Sequence, residues 1–331
     1  MNRRETLIGL FAFGNAALGW PLVGHAQEQA KKIPRIGVLW HAGSAEEEQP
    51  FFGAFIEGLA ELGYIDGRNI ILEHRYANEM PDRFKSMAAE LVSSNVDVLV
   101  GVGGKTSKVV KDATTTIPVV FVFAIDPVGD RLVESLGHPG GNVTGLPSAT
   151  AGLVGKRLQL LRELIPKLSR VALLVNPDEG VRLFIGEAHE AAATLKLKLQ
   201  VFEARSPAEI EPAINAMVTA RMQGLTLYNG GLYYQQRALI ADLANARRLP
   251  TSLVGIDFVK AGALMGYGNN GAAIIRKAGR LLDKILKGAK PADIPVELPT
   301  VFQFVINLKT AKTLGLKIPQ SILLRADQVI E

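Results

Sequence analysis

Polar side chains that follow short apolar runs are the groups of this sequence best suited to bind a ligand. The apolar runs read as β-strands, and ligands of α/β proteins bind outside the carboxyl ends of such strands. The candidate ligand-binding residues at these positions are His41, Ser44, Lys105, Thr106, Asp126, Asn176, Asn229, Asp257 and Tyr267. Each one taken alone also suits a turn or a helix cap. Their occurrence in both halves of the chain predicts a polar site for a small molecule.

The segment GVGGKTS (101–107) is the Gly-rich turn that comes nearest to a nucleotide-binding motif. A P-loop needs another glycine at position 99, which is Leu99. The GxGxxG pattern fails as well, because Thr106 stands where its third glycine belongs. We therefore expect no nucleotide. The turn either exposes the first amides of a helix and the Thr106 hydroxyl to a ligand carboxylate, or it simply caps the helix.

The residue types also argue against catalysis. The chain has no cysteine, its five histidines lack the spacing of metal ligands, and no GxSxG motif occurs. We expect that the protein is not an enzyme and has no cofactor or metal. Trp40 and Tyr228 stand at strand ends, where they are candidates either for aromatic walls of the site or for core residues.

Alternating strand-like and helix-like patterns predict the elements that position these residues. The first series has strands at 35–40, 69–76, 96–102 and 119–123, with helices at 46–62 and 82–93. A Gly- and Pro-rich break at 137–146 precedes a second series with strands at 170–176, 198–204, 224–229 and 251–255. This alternation predicts an α/β fold with two doubly wound parallel-sheet lobes. A tail of different composition follows, with a helix at 271–287 and a strand at 301–307.

The first 26 residues predict where the protein works. Arg3 and Arg4 precede an apolar run at 7–23, and small residues then mark a cleavage site after Ala26. These are the parts of a secretory signal peptide, although a membrane-spanning helix is an alternative. Because no cysteine is present to carry a lipid anchor, we expect retention in a Gram-negative periplasm. The arginine pair leaves both Sec and twin-arginine export open.

Several long segments are similar to one family of binding proteins. They are ELGYIDGRNIILEHRYA (61–77), ATTTIPVVF (113–121), DPVGDRLVESLGHPGGNVTG (126–145), GKRLQLLRELIP (155–166) and the stretch 283–331. On these segments the sequence resembles the ABC transporter solute-binding proteins that include the tryptophan/tyrosine-type binding proteins. The resemblance implies a type I periplasmic-binding fold, in which the chain crosses between two lobes near 145, 268 and 295.

The same resemblance implies a domain plan. It consists of a signal peptide at 1–26, a first lobe at 33–145 plus about 269–294, and a second lobe at 146–268 plus about 295–331. Many members of the family have a GTxAA-like loop where this chain has GGKTS (103–107). If the Lys105 side chain points into the site, its positive charge would favour an anionic ligand. The alternative is that Lys105 points to solvent, as Lys side chains usually do.

The function implied is that of a periplasmic solute-binding protein. Hinge closure of the lobes would capture a small organic molecule, such as an amino acid or an aromatic acid, for delivery to an ABC permease in the inner membrane. We expect a monomer that is not membrane-embedded. With 37 Lys and Arg against 32 Asp and Glu, and no dense basic block, we expect no nucleic-acid partner. A periplasmic sensor subunit for a membrane receptor is the alternative, and an exported hydrolase is a third hypothesis.

Overall fold

Residues 32–148 and 152–331 are described by the computed structural model, in which two α/β lobes are built around two separate regions of sheet. The predicted signal peptide lies outside the described residues. Within them, no helix is long and apolar enough to cross a membrane. The predicted fold class is confirmed.

The first lobe begins with a five-stranded sheet. Its elements are β1 (Arg35–Trp40), α1 (Phe51–Ala60), β2 (Ile71–Tyr76), α2 (Pro81–Ser93), β3 (Val98–Val102), α3 (Gly104–Ala113), β4 (Val119–Val122) and β5 (Val143–Leu146). The strands pair in parallel in the order β2-β1-β3-β4-β5. Every residue of β3 and β4 is buried, as expected for uninterrupted apolar strands that helices cover on both faces.

The segment predicted as a break (137–146) contains the edge strand β5. Val143 and Leu146 are buried, and the Thr144 hydroxyl donates to the Ile294 carbonyl at 2.8 Å. Gly145 lies so close to Phe121 that a β-carbon would not fit. Gly145 is therefore needed for close packing inside a strand. Because glycine is also common in turns, its presence led to the prediction of a break here.

The second lobe follows the first in sequence. Its elements are α4 (Leu153–Leu164), β6 (Arg170–Val175), α5 (Arg182–Thr194), β7 (Lys198–Glu203), α6 (Pro207–Thr219), β8 (Leu225–Leu227), α7 (Gly231–Gln235), α8 (Arg237–Ala246), β9 (Ser252–Leu253), α9 (Gly255–Lys260) and β10 (Met265–Asn269). Strands pair in the order β7-β6-β8, and a parallel bridge between Leu225 and Thr251 links this sheet to the region of β9 and β10.

The tail contributes to both lobes. Its elements are α10 (Gly271–Arg276), α11 (Ala278–Leu286), β11 (Phe302–Asn307), α12 (Leu308–Thr313), α13 (Gln320–Leu323) and β12 (Gln328–Ile330). Helices α10 and α11 pack against α1, where Gly58 and Gly279 allow the helix backbones to touch. Strand β11 instead pairs with β10, and it does so antiparallel, so the second sheet is not wholly parallel.

The chain thus passes between the lobes three times: after β5, after β10 and before β11. The lobe bounds that the sequence suggested stay a prediction. Two buried apolar clusters belong to one lobe each, and a third contains side chains of both lobes. Phe51 of α1 and Tyr234 of α7 are members of this shared cluster, with ring centroids 4.8 Å apart. The lobes are therefore in contact across the cleft between them.

Candidate ligand-binding cleft

A cavity of about 370 Å³ lies between the lobes, at the carboxyl ends of the strands. The side chains of the first lobe that line it include His41, Phe51, Glu79, Lys105, Thr106 and Phe123. Those of the second lobe include Glu179, Tyr228, Asn229, Tyr234, Asp257 and Phe258. A volume of this order suits a small organic molecule, and the mixture of aromatic and polar groups is typical of ligand sites.

Five ionisable residues meet at the cleft, and we call them the charged cluster: His41, Glu48, Glu79, Lys105 and Glu179. His41 Nδ1 lies 3.1 Å from Glu79 Oε1, and His41 Nε2 lies 3.5 Å from Glu48 Oε2. Lys105 Nζ lies 3.8 Å from Glu79 Oε2 and 3.9 Å from Glu179 Oε1. Because Glu179 belongs to the second lobe, the Lys105 ammonium interacts with carboxylates of both lobes.

Burial and mutual charge shift the pKa values of this cluster. Burial alone lowers the pKa of His41, but Glu48, Glu79 and Glu179 outweigh it and raise that pKa to about 9. Burial raises the pKa of Glu179 to about 7 although Lys105 opposes the shift. Burial likewise raises the pKa of Glu48, against the effect of His41. Proton binding is therefore favoured at several adjacent groups.

Four aromatic side chains of the lining form a row that crosses the cleft, and we call it the aromatic row: Phe123, Phe51, Tyr234 and Phe258. Ring centroids are 5.0 Å apart for Phe123 and Phe51, 4.8 Å for Phe51 and Tyr234, and 6.2 Å for Tyr234 and Phe258. These separations are typical of favourable aromatic pairs. The row gives the cavity an apolar wall that both lobes build.

Two lining residues, Glu79 and Phe123, have left-handed backbone conformations, with φ of +51° and +66°. At Asn95, Lys196, Arg221 and Arg248 the same conformation follows the end of a helix, and Asn78 and Arg131 adopt it in turns. Glu79 and Phe123 instead follow strands and face the cavity. A left-handed backbone is unfavourable for such side chains, and backbone strain of this kind concentrates at functional sites.

Besides His41 Nδ1, which lies beside the Glu79 carboxylate, three polar atoms of lining side chains have no hydrogen-bond partner among the described residues. They are Asn229 Oδ1, the Tyr234 hydroxyl and Asn269 Nδ2, and all are buried. The Asp257 carboxylate lies near the Tyr234 hydroxyl without a hydrogen bond of good geometry, and burial raises the pKa of Asp257. A buried polar group without a partner costs about 1–3 kcal/mol. Such atoms converging on one cavity indicate a binding site for polar groups.

The Gly-rich turn places the start of α3 at the cavity. Gly103, Gly104, Lys105 and Thr106 all line it, and no side chain in the described part of the structure caps the helix. The Thr106 hydroxyl donates to the Gly103 carbonyl at 2.8 Å, so its proton is already used. The first backbone amides of α3 are therefore the donors that this turn presents to a ligand, together with the positive end of the helix dipole.

The structure brings five of the predicted residues to the cavity: His41, Lys105, Thr106, Asn229 and Asp257. The other four, Ser44, Asp126, Asn176 and Tyr267, are not among its lining residues. Contact of any of these nine with a ligand stays a prediction.

Those four side chains have local roles in the described structure. Ser44 Oγ accepts from the Glu47 amide at 3.3 Å, and Asp126 Oδ1 accepts from the Gly129 amide at 2.8 Å. The Tyr267 ring stacks on Phe302. Asn176 Oδ1 caps a 3₁₀ turn (Pro177–Glu179), and its amide donates to Glu179 Oε1 at 3.1 Å. Asn176 therefore positions a lining carboxylate.

Sequence reasoning missed Glu79, Glu179, Phe51, Phe123 and Tyr234. Glu79 and Glu179 follow β2 and β6 by a few residues, so the rule that selected the other candidates could have found them. Phe51 and Tyr234 lie on helices, where an aromatic residue reads as core. Trp40, a candidate wall, is fully buried against Phe52, Phe55 and Tyr76 and is not among the lining residues, whereas Tyr228 is.

Two α/β lobes that are joined by three chain segments and enclose a cleft define a binding protein of the type I periplasmic-binding fold. The chain belongs to the ABC transporter substrate binding protein family, which matches residues 46–330. Among the described residues, no group of His, Asp and Glu side chains is arranged to hold a metal ion.

Relatives of known structure or activity agree with this assignment. A tyrosine-binding protein of Clostridioides difficile is 28% identical over 265 residues, which is 80% of this chain and 76% of that protein. An ABC domain from Streptococcus pneumonia in complex with L-Trp is 26% identical with a TM-score of 0.83, covering 90% of this chain and 99% of the other. A conserved domain protein from Vibrio cholerae is 27% identical with a TM-score of 0.83, covering 90% and 100%.

Proposed function

We propose that this protein is a periplasmic substrate-binding protein that captures an amino acid with a large apolar side chain and delivers it to an ABC permease. The observation that carries the proposal is the cavity shared by both lobes. It combines an aromatic row with buried polar atoms that lack partners among the described residues. An amino acid offers both kinds of group. The tyrosine- and tryptophan-binding relatives support the same class.

The charges of the lining favour a zwitterion. The lining residues carry five carboxyl groups, against two ammonium groups and the His41 imidazole, so a ligand with a cationic group is attracted. Lys105 lies between Glu79 and Glu179, and its charge is therefore already compensated. We therefore propose a zwitterionic ligand in place of the anionic ligand that Lys105 suggested. Its carboxylate would face the first amides of α3, and its ammonium would face carboxylates of the second lobe, such as Asp257.

Closure of the two lobes would couple binding to delivery. Gln235 Nε2 of the second lobe donates to Glu47 Oε2 of the first at 3.1 Å, a bond that would be lost if the lobes moved apart. A ligand that touches both lobes binds the closed state more tightly than the open state, and it shifts the population toward closure. The permease would then recognise the closed form. The predicted signal peptide supports a periplasmic location for these events.

Calorimetry with a panel of amino acids tests this function. We expect L-Trp, L-Tyr or L-Phe to bind more tightly than L-Ala or L-Asp. Asp257→Asn should weaken binding of the best ligand by about 1–3 kcal/mol, because a charged hydrogen bond is lost. Asp126→Asn is the matched control, since Asp126 bonds to the backbone of its own turn. Failure of the whole panel to bind would overturn the ligand class, and equal losses in both variants would overturn the cleft assignment.

A further inference from the structure

Phe123 occupies a conformation that its residue type disfavours. It follows β4 directly, with φ of +66°, and its amide donates to the Leu146 carbonyl at 2.8 Å. No helix ends at Phe123, so the left-handed backbone is not part of a helix cap. A bulky residue persists in this region only when its surroundings hold it there. Glycine would adopt the same backbone without strain.

The strained backbone directs the Phe123 ring onto the cavity wall. Gly271, the first residue of α10, lies under this ring and under the ring of Phe51. A β-carbon on Gly271 would lie 2.6 Å from Phe51 Cε1 and 3.6 Å from Phe123 Cζ, so an alanine there forces Phe51 to move. All three residues line the cavity. A glycine of the returning helix thus supports two adjacent rings of the first lobe.

The position of this pair determines what it could contact. Phe51 continues the aromatic row to Tyr234 of the second lobe, whereas the other side of Phe123 has no aromatic neighbour among the described residues. Phe123 is therefore the end of the row, and it is only partly buried. An apolar ring at the end of a row, on the wall of a cavity and partly exposed, is placed to contact one further flat apolar group.

We propose that Phe123, supported by Gly271 and Phe51, is a specificity-determining residue that selects ligands with an aromatic side chain over ligands with an aliphatic one. The inference rests on the proposed amino-acid function. A ring bound at the end of the row gains aromatic contacts that an aliphatic side chain does not make.

The test is the selectivity ratio, defined as the affinity for L-Trp divided by the affinity for L-Val, measured by calorimetry on the full chain. Phe123→Leu keeps an apolar side chain and removes the ring, so the ratio should fall by about tenfold. Phe123→Tyr keeps the ring, and the ratio should stay within about twofold of the original value. Gly271→Ala should also lower the ratio, because the added methyl group forces the Phe51 ring away from its position against Phe123.

Arg221→Gly is the control for backbone effects. Arg221 is exposed, has a left-handed φ of +56° after α6, and does not line the cavity. Its replacement should relieve strain without changing the ratio. Melting temperatures give a second measurement: Phe123→Gly should melt above Phe123→Ala, the reverse of the order that glycine and alanine show at ordinary positions.

The outcomes separate this inference from the proposed function. If the original protein binds none of the amino acids, the proposed function itself fails. If it binds them but Phe123→Leu weakens L-Trp and L-Val by the same factor, Phe123 has only a structural role and the inference is overturned. A ratio that Phe123→Tyr fails to preserve would also overturn it.

Discussion

Gly231 of the second lobe lies directly against the carboxylate of Glu79 in the first lobe, and no β-carbon fits between them. A methyl group at position 231 would fit the closed cleft only if the Glu79 carboxylate moved away from His41 and Lys105. Gly231→Ala should hold the lobes apart and weaken ligand binding by about tenfold or more, because affinity falls with the fraction of closed molecules. Calorimetry measures the affinity, and small-angle X-ray scattering should show a larger radius of gyration with ligand present.

Gly186→Ala is the matched control for this prediction. Gly186 lies within α5 with open space around it, so the alanine should leave binding unchanged and slightly stabilise the helix. An affinity for Gly231→Ala equal to that of the control would contradict the view that Glu79 and Gly231 meet on closure.

The charged cluster should make stability depend on pH. Folding raises the pKa of Glu179 from its ordinary 4.5 to about 7 and that of His41 from 6.5 to about 9. The folded protein therefore binds these protons more tightly than the unfolded chain, and stability is lost as pH rises. The Glu179 contribution should disappear between about pH 4.5 and 7, and that of His41 between about pH 6.5 and 9. Melting temperatures measured from pH 5 to 9.5 should fall steadily.

Two variants test which residue causes the loss of stability in each of the two pH ranges. In a plot of melting temperature against pH, Glu179→Gln should reduce the slope below about pH 7, and His41→Asn should reduce the slope above about pH 7. Glu48, Glu79 and Lys105 face the same groups, so each variant should shift the remaining transition as well. A melting temperature that rises from pH 5 to 9 in the original protein would refute this account.

Arg157 should cost stability. It is fully buried in α4, its three guanidinium nitrogens have no hydrogen-bond partner among the described residues, and the Phe184 ring lies 5.7 Å away. Burial lowers its pKa to about 9, which shows how unfavourable the charge is there. Arg157→Met should raise the free energy of unfolding by about 1–4 kcal/mol, seen as a higher melting temperature.

Arg162→Met on the same helix is the comparison. Arg162 donates to the Leu195 carbonyl, so its loss should lower the melting temperature or leave it unchanged. A lower melting temperature for Arg157→Met would mean that the buried guanidinium contributes more than it costs.

Trp40 should report the protonation of His74 rather than ligand binding. The indole Nε1 donates to His74 Nδ1 at 3.0 Å, and Trp40 is fully buried. Burial lowers the pKa of His74, so its Nδ1 becomes protonated only at a pH below the usual pKa of histidine. Protonation removes the acceptor and breaks the bond from Trp40. The other tryptophan of the sequence, Trp20, precedes the predicted cleavage site, so Trp40 accounts for the emission of the cleaved chain. This emission should change on acidification and not on addition of ligand. His74→Gln should remove the acid response, and a ligand response as large as the acid response would contradict the prediction.

The fold could be predicted largely from local pattern, with failures that have physical causes. The alternation of strands and helices gave both lobes, because buried parallel strands have uninterrupted apolar runs, as β3 does. Strand β5 was not predicted because it contains Gly145. Phe121 lies so close to Gly145 that no side chain would fit there. The antiparallel direction of β11 could not be read, since strand direction depends on where the tail returns and not on its residues.

The site was predictable only in part, because some of its residues are brought to the cleft by tertiary structure and not by local pattern. Asn229 and Asp257 were found because polar residues after strands mark one edge of a sheet. Phe51 and Tyr234 reach the cleft from helices of different lobes, and their apolar character is equally consistent with a core. Phe123 could not have been found, because its strained backbone is visible only in the structure.

The return of α10 and α11 to the first lobe has a consequence for how the chain folds during synthesis. These helices cover α1, and α11 also contacts β3, β4 and β5, although some 120 residues separate β5 from α10 along the chain. A nascent chain that ends after β5 would therefore leave part of one apolar face of its sheet, and the outer side of α1, open to water. Neither lobe is a continuous segment, so the chain must leave the ribosome as far as the end of α11 before the first lobe is complete.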